Sequence, residues 1–216
     1  MKTAGRSVVK VRAGNRDFFI CKPADPTEIL NRITEDEFRE DEFLPYWAEY
    51  WPSSVVLARY LLKEVPPSTG NLCEIGCGLG TLSVILKYFG YWIIPMDYSP
   101  DSCSITKENG SRNRVDLSPV CTDWRSPGFK TELRTGFNTI TGSDILYEKR
   151  FTEPVLEFIK TYLAKNGTAF IADPERGFHK DFAKEAEAHG FDITRVLRTK
   201  EPDTTKYISV FRLTES

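Results

Sequence analysis

From residue 72 to residue 189 the chain alternates short apolar runs with amphipathic stretches, and this limits the fold more than any other feature. The apolar runs are 72–75, 92–96, 118–121, 137–141 and 168–172, and the helical stretches are 79–89, 101–112, 152–163 and 179–189. Strands separated by helices pair in parallel, because a parallel neighbour needs a crossover connection. Two further alternating runs, 192–197 and 207–213, are joined by the polar loop 199–205 with no helix between them, so they form an antiparallel hairpin at one edge. The expected fold is α/β, a doubly wound seven-stranded sheet that is mostly parallel and ends in that hairpin.

Ahead of the alternation the pattern is different. Runs at 7–10 and 18–21 flank the turn signal Gly14-Asn15 and predict a small hairpin, followed by a helix around 27–38. Pro52 sits at the first turn of a helix whose apolar face is Val55, Val56, Ala58, Leu61 and Leu62, and Pro66-Pro67 forbids its continuation. The expected division is an N-terminal extension, 1–43, and a main domain, 44–216. A net charge of −2 advertises no nucleic-acid footprint, and no apolar run approaches the ~20 residues of a membrane span. Five dispersed cysteines argue for reduced thiols and a cytoplasmic protein. Cys73 and Cys77 lack a second ligand pair, so no metal is expected. His179 and His189 read as helix-end residues rather than bases.

Residues 73–83, CEIGCGLGTLS, follow the first parallel strand, where open sheets bind ligands. The glycines fall at Gly76, Gly78 and Gly80, and Thr81 stands where a dinucleotide fingerprint needs its third glycine. No lysine follows the glycines until Lys87, which excludes a Walker loop. Glu74 inside the strand, with its carboxylate toward the loop, would repel a pyrophosphate and welcome a cation. Asp97 ends the second strand, where it can accept both ribose hydroxyls. Asp123 ends the third, followed by Trp124, a carboxylate for the adenine amino group beside a ring that stacks. Each has a structural alternative: Glu74 as a satisfied buried acid, Asp97 and Asp123 as turn residues, Trp124 as core. Together they fit an adenosine with a cationic, phosphate-free tail, which describes S-adenosyl-L-methionine.

These residues resemble the class I, seven-β-strand S-adenosylmethionine-dependent methyltransferases, with a Rossmann-like sheet. Glu74-Ile75-Gly76-Cys77-Gly78-Leu79-Gly80 is similar to that family's first motif, and Asp97 to its second-strand acid. Trp51-Pro52 opening a helix, with Asp144-Ile145-Leu146-Tyr147 after the fourth strand, resembles the methyltransferase-like group of protein-lysine methyltransferases. Residues 46–52, YWAEYWP, and Asp173-Pro174-Glu175-Arg176 resemble the branch acting on the electron transfer flavoprotein β subunit, which usually has glycine where this chain has Glu175. The resemblance implies a cofactor site of Trp47, Trp51, Glu74, Gly76, Cys77, Gly78, Asp97, Tyr98, Asp123, Trp124 and Ser143. It also implies Asp144 and Tyr147 as catalytic residues and a protein lysine as acceptor. Asp144 either orients the amine or contacts the cofactor; Tyr147, Trp47 and Trp51 wall the acceptor channel, or Trp47, Tyr50 and Trp51 pack as a core stripe. A small-molecule N-methyltransferase and a non-catalytic binding module are the competing functions.

Overall fold

The computed structural model describes residues 5–25, 27–30, 45–126, 136–175, 179–201 and 206–216. Strands β1 (Arg6–Ala13) and β2 (Arg16–Pro23) form the expected hairpin around Gly14-Asn15. A helical turn, α1 (Thr27–Leu30), follows, and the rest of the helix expected to 38 lies outside the described residues. Then come α2 (Ser53–Glu64), β3 (Asn71–Ile75), α3 (Thr81–Tyr88), β4 (Trp92–Asp97), α4 (Pro100–Arg112), β5 (Val120–Cys121) and β6 (Phe137–Ser143). The chain continues through α5 (Thr152–Tyr162), β7 (Leu163–Asp173), α6 (His179–Ala188), β8 (Phe191–Thr199) and β9 (Ile208–Glu215).

The main sheet has the order β5-β4-β3-β6-β7-β9-β8. β3, β4, β5, β6 and β7 are parallel, and β9 enters antiparallel between β7 and β8, which is the predicted edge hairpin. Strand order reverses between β3 and β6, so their carboxyl ends flank the crevice where a doubly wound sheet takes its ligand. Alternation along single strands builds two cores. Phe170 and Ala172 of β7 join α2, α3 and the hairpin on one face, and Ala169 and Ile171 join α5 and α6 on the other.

Two departures from the expected strand extents have a local cause. β5 starts at Val120, not at 118, because Pro119 has no N–H to give the ladder. β7 starts at Leu163, not at 168. Asn166 takes φ +63°, and the extra residues leave the ladder as a bulge between the Phe137 and Thr139 pairings. The Asn-Gly pair therefore interrupts the strand instead of turning into it.

The hairpin is bound to the main domain by two asparagines of α4. Asn113 accepts from Phe19 N–H through Oδ1 and donates to Phe19 O through Nδ2, each at 2.9 Å. Asn109 does the same for Cys21, at 2.7 and 2.9 Å. Two carboxamides thus imitate a neighbouring strand and cover the β2 edge. Val11, Ala13, Phe18 and Ile20 complete the seal inside the shared core.

His189 follows α6, its Nδ1 on Glu185 O at 2.7 Å and its Nε2 3.1 Å from Glu153 of α5. The Glu185 carbonyl, then the Glu153 and Glu157 carboxylates, hold its pKa above the ordinary histidine value despite partial burial. A raised pKa stabilises the fold fully below the unfolded value of about 6.5 and loses that contribution as pH climbs through the folded value. Melting scans are expected to show the midpoint falling with rising pH across that window, and a flatter profile in His189→Gln. An identical slope in the variant would contradict this assignment.

Candidate functional site

The loop after β3 is left-handed at all three glycines, with φ of 65° at Gly76, 53° at Gly78 and 72° at Gly80. Gly76 has a second reason to lack a side chain: a Cβ there would lie 2.7 Å from Ile145 Cγ2. The loop amides point inward. Cys77 N–H donates to Met96 O at 2.9 Å, Gly80 N–H to Cys77 O at 2.7 Å, and Gly78 N–H to Asp97 Oδ2 at 2.9 Å. A pyrophosphate loop needs such amides open toward its anion, and here three are already engaged.

Glu74 stands differently from expectation. Strand alternation turns it from the cavity toward α3, where its Oε2 accepts from Ser83 N–H at 3.1 Å and from the Ser83 hydroxyl. It is 1% exposed, and burial pushes its pKa up to about 8 against the opposing Ser83 bonds. It therefore holds a proton at neutral pH and buttresses the loop, so it does not attract a cation. An unfolded glutamate ionises near 4.3, so this contribution to stability is full below that pH and fades as pH rises toward 8. Glu74→Gln is expected to fold normally and flatten that pH dependence. Glu74→Ala, which strips two buried donors of their acceptor, is expected to cost about 3 kcal/mol in denaturant unfolding. A fully stable alanine variant would contradict the buttress.

Beyond the loop lies an open cavity of about 730 Å³, mouth included. Gly76, Gly78, Asp97, Tyr98, Trp124, Trp47, Trp51, Ser143, Asp144 and Tyr147 all line it, with Trp47 beside Gly78. Glu74, Cys77 and Asp123 are not on that wall. Cys77 is buried with Sγ 3.5 Å from Thr106 Oγ1, and burial lifts its thiol well above the usual range. Asp123 grips Arg125, whose Nε lies 2.9 and 3.0 Å from its two oxygens, and it is Arg125 that reaches the cavity.

Asp97 is the hub of the loop's hydrogen bonds. Only 3% exposed, it accepts from Gly78 N–H through Oδ2 and from Ser99 N–H through Oδ1 at 3.0 Å. Burial raises its pKa, while the Ser99 and Gly78 amides oppose the rise. The Ser102 hydroxyl and the Tyr98 amide oppose it as well, so a ligand hydroxyl would share the carboxylate with these donors.

The cavity wall also carries a run of aromatic rings. Tyr147 packs on Tyr46 at 4.7 Å and on Phe151 at 4.6 Å between centroids, and Trp124 follows at 6.2 Å from Phe151. Burial drives the Tyr147 hydroxyl well above its ordinary pKa, so it stays neutral. Trp51 Nε1 donates to Tyr46 O at 2.9 Å, which pins the rings to the start of α2. Asp144, 8% exposed, takes φ +58°, and its N–H bonds Ala172 O at 2.9 Å, fixing it where β6 and β7 end. Backbone strain of this kind gathers at functional sites.

Tyr46, Arg125, Glu148, Arg150 and Phe151 line the cavity beyond the sequence-derived set. Phe151 has a local signal, four residues beyond Tyr147. Glu175, outside the cavity wall, has φ +53°, a left-handed conformation that favours glycine. Its carboxylate binds Arg198 Nε and NH2 at 2.6 and 2.9 Å and accepts from Ser209 Oγ at 2.8 Å. Arg176 lies outside the described residues.

A model of the methyltransferase domain family matches residues 48–212, the span holding the loop, the strand-end acids, Trp124, Tyr147 and Phe151. The chain belongs to this family. It is similar to the electron transfer flavoprotein beta subunit lysine methyltransferase of Danio rerio, 29% identical over 75% of this chain and 60% of that protein. It is also similar to the protein-lysine N-methyltransferase rrg1 of Schizosaccharomyces pombe, 27% identical over 66% of this chain and 52% of that one. The chain thus spans little more than half the length of these relatives. Among solved structures, magnesium protoporphyrin IX methyltransferase from Synechocystis, with bound SAM, superposes with TM-score 0.63 at 14% identity, covering 89% of this chain and 92% of that one. The shared architecture is the class I, Rossmann-like methyltransferase sheet.

Proposed function

We propose that this chain is an S-adenosylmethionine-dependent methyltransferase that modifies lysine side chains of a protein. The observation carrying the reading is Asp97 bound to the amide of Gly78: an acid occupies the glycine loop where a phosphate-binding protein would leave donors open. The names of the two lysine methyltransferase relatives support the acceptor class.

The residues present fit the cofactor. Asp97 is set to hold ribose hydroxyls, Gly76 keeps side-chain bulk away from the approach beside Trp124, and Trp124 offers a ring to the base. The bound cofactor supplies a methyl group on a positively charged sulfur. The chain's own work is placement and proton control. Tyr46, Tyr147 and Phe151 exclude water from the acceptor's path, which lowers the pKa of a lysine from about 10.4 toward its neutral, nucleophilic form. Their faces also tolerate the cation left after methylation. Asp144 orients the amine, and Tyr147, neutral, lines the same cavity. The extension, 1–43, is read as packed onto the catalytic domain, 44–216, through its hairpin. A cytoplasmic location is supported by five free cysteines; among the described residues no helix is long and apolar enough to cross a membrane.

The test incubates the chain with radiolabelled S-adenosylmethionine and whole-cell extract, then separates labelled proteins from labelled metabolites. Label on lysine of a protein is expected. Label in metabolites alone would make the chain a small-molecule N-methyltransferase, and no label at all would make it a binding module.

A further inference from the structure

Among the described residues, two guanidiniums line the cavity without a part in the transfer described above, those of Arg125 and Arg150. Arg150 Cζ lies 5.1 Å from the centre of the Phe151 ring, and Arg125 Cζ lies 5.9 Å from the same ring and 5.8 Å from that of Tyr98. Phe151 packs on Tyr147 at 4.6 Å, so both cations stand beside rings placed in the acceptor's path. Each is held by a carboxylate close by in sequence. Asp123 lies 2.8 Å from Arg125 Nη2, and Glu148 lies 2.8 Å from Arg150 Nε. The Arg150 side chain is 44% exposed, so its pair with Glu148 meets solvent and holds weakly.

Charge makes these residues informative. The sulfonium of the cofactor and the ammonium of a lysine are both cations, and a guanidinium in the wall disfavours the approach of either. Two guanidiniums fit such a site when an anion enters with its ligands. A guanidinium presents five N–H donors in a planar fork and a carboxylate takes two of them, so a second carboxylate can bridge to an arginine that already holds one. Of the cavity's acids, Asp97 and Asp144 have other roles, and Glu148 is the partner of Arg150.

We propose that Arg150 and Arg125 determine acceptor specificity by taking an acceptor carboxylate, an aspartate or glutamate close to the lysine that is methylated. The proposal rests on the lysine reading above and narrows it to acidic segments. The cofactor's own amino-acid carboxylate is the other group of this chemistry. The exposure of Arg150, which follows Tyr147 by three residues, favours a carboxylate that arrives from solvent with the acceptor. A cavity of about 730 Å³ is on the order of 10 Å across, which about three extended residues span. The acid is therefore expected within that distance of the lysine along the acceptor chain.

The experiment incubates the full chain with S-adenosylmethionine and whole-cell extract and maps the methylated lysines by mass spectrometry. Methylated sites are expected to have Asp or Glu within about three residues more often than the other lysines of the same proteins. The double variant Arg125→Gln/Arg150→Gln is expected to lose that preference. On the most strongly methylated acceptor protein, purified, Arg150→Gln is expected to raise KM on the order of tenfold with kcat falling much less, and Arg150→Lys to recover part of the loss. Calorimetry is expected to find S-adenosylmethionine bound by Arg150→Gln with an affinity near that of the wild type. Sites with no acidic preference would overturn the proposal, as would an unchanged KM. Lost S-adenosylmethionine affinity with the acceptor KM unchanged would overturn it in favour of the cofactor's carboxylate. Thermal unfolding shows whether the double variant is folded; if it is not, Arg150→Gln alone decides. If no protein is methylated, the lysine reading fails and this proposal with it, whereas methylated proteins without the acidic preference remove this proposal alone.

Discussion

Asp97→Ala is expected to weaken S-adenosylmethionine binding more than a hundredfold, about 2.7 kcal/mol. Two losses combine. The ribose hydroxyls lose a charged acceptor, and such hydrogen bonds are worth about 1.5–3 kcal/mol each. Gly78 and Ser99 also lose the acceptor of their amides, so the loop and the turn after β4 are no longer held in register with one another. Asp97→Asn separates the effects. Its single carbonyl oxygen can serve only one of the two amides well, so it should bind weakly but better than alanine. Calorimetry on the three proteins checks the ranking, with thermal unfolding alongside to establish that each variant is folded. Alanine binding within threefold of wild type would remove Asp97 from the cofactor site.

Asp144 should behave in the opposite manner, with turnover lost and cofactor binding spared. Asp144 lines the cavity at the ends of β6 and β7, and Ile145 next to it lies against Gly76. Groups that hold or move a proton in a reaction are typically worth 10²–10⁴-fold, so Asp144→Asn is expected to lower the rate by about that range. Asparagine is the informative exchange because it tolerates the left-handed backbone seen at φ +58°. Asp144→Ala adds strain of about 1–2 kcal/mol to the loss of charge. Single-turnover rates and calorimetry on both variants check this. Normal methyl transfer by Asp144→Asn would end the catalytic assignment, and lost cofactor binding with it would move Asp144 to the cofactor side.

Local chemistry makes much of this fold legible in the sequence. Strand–helix alternation specifies the sheet because each crossover helix carries its own apolar face and its own stop. Asp97 and the glycines are readable because a strand end and a tight loop leave little choice of residue. Glu74 points away from its expected direction. Which way a buried strand residue points depends on what packs over it, here Ser83, nine positions later. The Asn109–Asn113 seam is equally silent in sequence, since two polar residues on a helix look solvated until a strand edge is laid against them. Arg125 escapes sequence reasoning because its place is set by Asp123, the residue expected to touch the ligand. The departure at Glu175 marks a real position, the left-handed turn, and the pairing with Arg198 shows how a glutamate is accommodated there.

On the proposed function, the crevice at the ends of β3, β4 and β6 accepts a phosphate-free adenosine sulfonium. Titration calorimetry of the chain with S-adenosylmethionine, ATP and NAD measures this directly. Saturable binding of S-adenosylmethionine at one site, with no heat from ATP or NAD, is the predicted result. Binding of either phosphate ligand at the same site, with S-adenosylmethionine silent, would contradict it.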